Sequence, residues 1–418
     1  MTNQRELPPA ILRRSLPPTA CALALLCAFI VIAIQPAQAQ TLNVLHSFTG
    51  GLGGSNPMAG LTMDRGGNLY GTTAGGSGTV FRVSPKNGAW ISTVLYQFHG
   101  GQDGFQPTAA VTIGPDGALY GTTLFGGGHG CGGMGCGAVF RLTPSAMICH
   151  FALCPWNETV IFRFADGPNG VASPWGGVAF DASGNLYGQS FVGGTGNCSG
   201  GCGVIYKLTP SGGSWTFSVV HNFTGFDGEQ PTDTLTFDGA GNMYGTTFYG
   251  GMHGFGTVFQ LIRAGTGWTF NLLYSFQGGT DGGYPFSGVV LDSAGNLYGD
   301  NQYGGRGAGV VYQLSHSGGS WTLTTLFSSS GGFTDEVDLD SAGIVYGTTY
   351  AGGSRGAGSV FKLTNSGGTW TETDLHSFSG QDGSFPYSSV VLDASGNLYG
   401  TTQYGGTQND GVVWQIVP

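Results

Sequence analysis

One phrase recurs along this chain with little change: Asp-x-x-Gly-Asn-Leu-Tyr-Gly-Thr-Thr, followed within a few residues by Gly-Gly. Its tyrosine falls at Tyr70, Tyr120, Tyr187, Tyr244, Tyr298, Tyr346 and Tyr399, at intervals of 50, 67, 57, 54, 48 and 53 residues. A unit of that size cannot bury its own apolar face, so copies of it must pack on one another. Glycine makes up 81 of the 418 residues, a share that alone would suit a disordered polymer. Here the glycines recur at fixed places, and the intervals between them carry Val, Ile, Leu, Phe, Tyr and Trp.

Within one repeat the pattern predicts four short strands. Val390-Val391-Leu392 leads into the turn Asp393-Ala-Ser-Gly396-Asn397, where Asp closes an Asx turn and Gly and Asn accept positive φ. Leu398 to Thr402 is the second strand and Val412 to Ile416 the third. A Thr-Pro-Ser-Gly-Gly turn such as Thr209 to Gly213 then introduces a fourth, Trp215 to Phe223. The Trp and Phe of that strand stand eight residues apart, as do Trp90/Phe98, Trp156/Phe164, Trp268/Phe276 and Trp370/Phe378. An even offset predicts that both face one side and pack between repeats. Four antiparallel strands repeated seven times describe an all-β, seven-bladed β-propeller. Residues 41–48 read as a fourth strand, whereas the chain ends just after a third. The N-terminal strand is therefore expected to complete the last blade and remove the open edges of the array.

Residues 1–39 read as a signal peptide. Arg13 and Arg14 precede an apolar run from Ala20 to Ile34, and Ala37-Gln38-Ala39 supplies the small-residue cleavage signal. Residues 40–418 are expected to form a single propeller domain. Removal of the leader leaves 10 basic and 22 acidic residues and three lysines. With no basic stripe, nucleic acid and anionic membranes are poor partners, and no later stretch is long enough to span a bilayer. The expectation is an exported protein, secreted or periplasmic, and monomeric.

Six cysteines remain after cleavage, in the close pairs Cys131/Cys136, Cys149/Cys154 and Cys198/Cys202. An oxidising compartment favours three disulfides. Zinc is the alternative, but the spacing matches no known finger, and no metal or cofactor is expected. If strands run outward from the axis, the loops after the second and fourth strands share one rim. That rim receives Asp103, Asp166, Asp227, Asp281 and Asp382, candidates for contact with a cation or with sugar hydroxyls, or simply turn formers. His129 and His253 lie in Gly-rich loops of the same rim and are weaker ligand candidates. His46, His221 and His376 share a repeat position with Tyr96, Phe162, Tyr274 and Phe327, which marks packing rather than a general base. The turn carboxylates (Asp64, Asp116, Asp181, Asp238, Asp292, Asp340, Asp393) are too dispersed for paired acid/base work. No nucleophile elbow, Ser-x-x-Lys motif or phosphate loop occurs.

Phe223-Thr224-Gly225-x-Asp227-Gly228-x-x-Pro231, Gly-Asn-Leu-Tyr-Gly-Thr-Thr and Gly256-Thr-Val-Phe-x-Leu261 together resemble the Gloeo/Verruco (GloVer) tandem-repeat family of exported bacterial proteins. The resemblance covers residues 41–418 and implies a secreted or envelope-associated repeat protein without an assigned activity. The Asp-x-x-Gly-Asn-Leu-Tyr stretch is also similar, less closely, to NHL-type propeller repeats. The expected function is non-catalytic binding of a glycan, peptide or protein through the loop rim. The rival expectation is a lyase or hydrolase acting on extracellular polysaccharide.

Overall fold

Seven four-stranded antiparallel sheets follow one another along the chain, each running from an inner strand at the axis to an outer strand at the perimeter. The structure is a computed structural model that describes residues 40–145, 156–166, 170–265, 267–305, 309–329, 331–332 and 337–418. The fourth blade shows the pattern at full length: Glu229–Phe237, Met243–Tyr249, Thr257–Ala264 and Gly267–Ser275. The seventh blade is Val391–Leu392, Leu398–Thr402 and Val412–Val417, with Thr41–Ser47 paired to the last of these as its outer strand. The ring is a seven-bladed β-propeller closed by its N-terminal strand.

The repeated words translate into contacts. In the turn that opens the second strand, Asp238 Oδ1 accepts the N–H groups of Ala240 and Asn242, and Oδ2 accepts the Asn242 amide and the Tyr244 hydroxyl at 2.8 and 3.1 Å. The same set recurs at Asp64, Asp181, Asp292 and Asp393. Burial pushes the Asp238 carboxyl up, but these bonds outweigh it and hold it below the usual range. The second blade departs from this scheme. Gly114 takes the Asp position, and Asp116 reaches the Tyr120 hydroxyl from two residues further on.

The glycine after each tyrosine seats the large ring of the third strand. A Cβ at Gly245 would lie 2.6 Å from Phe259 Cζ. The glycine that opens the third strand seals the seam between blades: Gly256, at φ +92°, abuts Pro285 of the following blade, as Gly411 abuts Pro57. Nearer the axis, the first threonine donates across the seam. Thr246 bonds Ser287 O at 2.6 Å, Thr72 bonds Ala109 O at 3.0 Å, and Thr122 bonds Gly176 O at 2.8 Å. Thr348 and Thr401 reach the carbonyls of Ser388 and Ala59 in the same way.

The outer-strand tryptophans pack between blades. Trp268 meets Tyr187 of the preceding blade at 5.7 Å, Trp215 meets Tyr120 at 6.1 Å, and Trp90 meets Tyr399 across the closure at 5.9 Å. Their phenylalanines do not share that face. Phe276 lies against Tyr312 and Phe98 against Phe140, each on the following blade. The even-offset expectation fails because every outer strand carries a β-bulge. The register breaks between Val258 and Phe259, and leaves Leu273 as the extra residue. One inserted residue reverses the alternation beyond it. A single strand thereby grips both neighbours.

Candidate functional site

The loops after the second and fourth strands meet at one end of the ring. Gly251 N–H donates to Gly225 O at 2.8 Å and Gly406 N–H to Gly380 O at 2.9 Å, tying the two loop types together. The residues before the seam prolines (Asn56, Gln106, Ser173, Gln230, Tyr284 and Phe385) all have φ between 54° and 58°. That region is rare for a side-chain-bearing residue and disfavoured ahead of proline. It is held because each N–H donates to the preceding blade, as Tyr284 does to Phe255 O at 2.8 Å.

Four of the five rim aspartates turn back into their own loops. Asp227 takes the Thr224 N–H and hydroxyl on Oδ1 and His221 Nε2 on Oδ2 at 2.9 Å. Asp382 does the same with Ser379 and His376. Asp103 accepts the Tyr96 hydroxyl and the His99 N–H, and Asp281 accepts the Tyr274 hydroxyl and the Gln277 N–H. Burial raises the Asp227 carboxyl, but the bonds from His221 and Thr224 outweigh it and leave it below its usual range. The shared His/Tyr position is thus the polar partner of the Asp-Gly turn as well as a packing position: His221 also stacks on Phe270 at 4.1 Å. Asp166 sits opposite a phenylalanine, Phe162, and instead accepts the Cys131 N–H at 2.7 Å.

Cys131 is disulfide-bonded to Cys136, and Cys198 to Cys202. Cys149 and Cys154 lie outside the described residues. The ligand atoms of Cys131, Cys136 and Asp166 fall within 4.8 Å of one another, but the two sulfurs are already bonded to each other. His129 and His253 are both exposed, and neither belongs to a group of metal-type ligands among the described residues.

Two features of this end of the molecule escape a sequence reading. The first is apolar. Phe226 is 85% exposed and Met252 81% exposed, on the two loops joined by the Gly251–Gly225 bond. Tyr249 and Tyr303 flank them, bridged by Tyr284 at 5.4 and 5.7 Å. The second lies on the axis, where a cavity of about 90 Å³ is bounded by Ala59, Ala109, Trp175, Asp233, Phe286 and Tyr387 among others. Asp233 is held at φ +61°. Its backbone carbonyl accepts Gln189 Nε2, and its side chain accepts the N–H groups of Thr234 and Gly288, each of the latter two at 2.7 Å. Burial pushes its carboxyl up despite those donors.

Asp300 stands beside it, where other blades place the first threonine. It is 2% exposed, its Oδ1 accepts the Ser287 hydroxyl at 2.8 Å, and its Oδ2 has no hydrogen-bond partner. Burial, opposed by Ser287 and reinforced by the charge of Asp233, pushes this carboxyl up to about 8. The signal was present in the chain: Asp300-Asn301 and Gln189-Ser190 are the two breaks in an otherwise regular Thr-Thr.

These features define a closed seven-bladed propeller whose blades differ at its axis and along this rim. The chain belongs to the Gloeobacter/Verrucomicrobia repeat family, whose profile matches residues 30–152, 132–339 and 266–418. No curated protein matches it in sequence. Solved structures share the fold. A protein described as a putative 6-phosphogluconolactonase, from Bacteroides uniformis ATCC 8492, superposes with a TM-score of 0.50 at 13% identity, covering 77% of this chain and 84% of that one. One from Bacteroides fragilis NCTC 9343 gives the same score and identity over 82% and 95% of the two chains. At that identity the likeness concerns the fold.

Proposed function

We propose that this chain is an exported, non-catalytic binding module that engages an extracellular partner through its loop rim. The observation that carries the reading is a contrast. The axial cavity is small, and the carboxylate on its wall, Asp233, spends its oxygens on backbone N–H groups. The rim, by contrast, leaves Phe226 and Met252 almost wholly in solvent. Apolar tips of that size, held on loops pinned by backbone hydrogen bonds, suit recognition. The rival reading, an enzyme on extracellular polysaccharide, needs an acid and a base open to substrate. Asp300 is sealed from solvent, and the rim aspartates are occupied as turn formers.

The test is a screen of the mature protein against glycan and peptide arrays, run beside a Phe226→Ser/Met252→Ser variant. Binding by the parent that the variant loses supports the rim. Binding that survives unchanged in the variant removes it. Release of reducing ends or unsaturated products from any polysaccharide, abolished by Asp233→Asn, would overturn the non-catalytic reading.

A further inference from the structure

If the rim is the binding face, its charge and exposed side chains also define the chemistry of its occupant, an inference that rests on the rim reading. In sequence, the rim segments between residues 224 and 309 carry Asp227, Glu229 and Asp281 against one basic residue, Arg306. The chain's post-leader lysines, Lys86, Lys207 and Lys362, all lie in third strands, away from these loops. The oxygens of Asp227 and Asp281 already accept three hydrogen bonds apiece from their own turns and outer strands. They set a negative background without offering free acceptors. Between them project a phenyl ring and a thioether, Phe226 and Met252.

A sugar is poorly matched to such a surface. Its hydroxyls need unspent acceptors and donors, and the two turn carboxylates have few to give. A protein segment that offers apolar side chains together with cationic ones is well matched. Phe226 and Met252 can bury against the former, and the net acidic balance of these segments favours the latter. We propose that the rim of the third to fifth blades docks an extended, basic and apolar segment of a partner protein.

Fluorescence anisotropy of the mature protein tests this with three labelled twelve-residue peptides: Lys alternating with Leu, Lys with Ser, and Glu with Leu. Neutral β-linked oligosaccharides are added as competitors. The Lys–Leu peptide is expected to bind at least tenfold tighter than either other peptide, and to weaken severalfold between 50 and 500 mM salt. Phe226→Ser/Met252→Ser and Glu229→Lys should each cost about tenfold, with melting temperatures unchanged. Val44→Ser/Ile91→Ser, on exposed outer-strand positions, should bind like the parent.

Equal binding of Lys–Ser and Lys–Leu would reduce the effect to net charge and overturn the proposal. So would loss of affinity in the outer-strand variant, or no binding of any peptide. Displacement by the oligosaccharides, lost in the Phe226/Met252 variant, would overturn the protein partner while leaving the rim as the binding face.

Discussion

Asp300→Thr should stabilise this protein, although it removes a buried group and a hydrogen bond. The carboxyl rises from an ordinary 3.8 to about 8 in the fold. At pH 7 the unfolded chain carries it ionised, and folding must protonate it. Each unit of difference is worth about 1.4 kcal/mol, so at pH 7 the native state bears a penalty of about 4 kcal/mol. The sign follows from proton counting. Between about pH 4 and 8 the native state binds more protons at this site than the unfolded state, and stability falls as pH rises. Threonine is the residue that Thr72, Thr122, Thr246, Thr348 and Thr401 supply at this place in other blades. It carries no such penalty.

For the 377 residues from Thr41 to Val417, an unfolding entropy of about 2.1 cal/mol/K per residue converts 4 kcal/mol into a rise of roughly 5 °C. Scanning calorimetry of parent and variant from pH 5 to 9 measures this. The gap should open progressively with pH and level off above 8. Parallel profiles, or a variant less stable than the parent at pH 8, would refute the claim that Asp300 is a buried acid with one oxygen unpartnered.

Gly256→Ala should destabilise by about 2 kcal/mol or more, because its Cβ would meet Pro285 at 2.7 Å on a backbone already at φ +92°. Gly254→Ala, at φ +81° with open space around it, should cost about half as much; urea midpoints compare the two. Cys198→Ser/Cys202→Ser opens a short loop and should lower stability by about 2 kcal/mol, as should reduction of the parent at the same site. Asp238→Ala removes four hydrogen bonds from one carboxylate and should cost about 2 to 3 kcal/mol at neutral pH. Since that carboxyl lies below its usual range in the fold, its contribution is present above the unfolded value and is lost as pH falls through the folded one. The parent and variant should therefore converge in acid.

The ring, its blade count and its closure by residues 41–48 were legible because they rest on period and composition, which survive in one dimension. The facing of Phe276 was not. Its reversal depends on a bulge at Leu273 that no residue type announces, since leucine suits a regular strand equally well. The shift of the second blade's turn to Asp116 was similarly hidden, because Asp and Tyr120 stand in nearly the usual order. The pairing of His221 and His376 with Asp227 and Asp382 was half visible: both sets were noted, but the six-residue reach across a strand end was not. Asp233 and Asp300 lie 67 positions apart and meet only because two successive residues of the fifth blade reach them, Ser287 through its hydroxyl to Asp300 and Gly288 through its N–H to Asp233. No sequence proximity could have joined them.

The pairing of Thr41–Ser47 with Val412–Val417 also imposes an order in time. The first strand of the ring to be synthesised is the last that can find its partner, since its neighbour is the last strand of the ring. Until then six complete blades and part of a seventh stand as an open arc with an unpaired edge at each end. An exported chain would meet its folding machinery and its proteases in that state. Transferring residues 41–48 to follow Pro418 would make every blade local to its own sequence, and refolding of that permutant should outpace the parent while reaching the same ring.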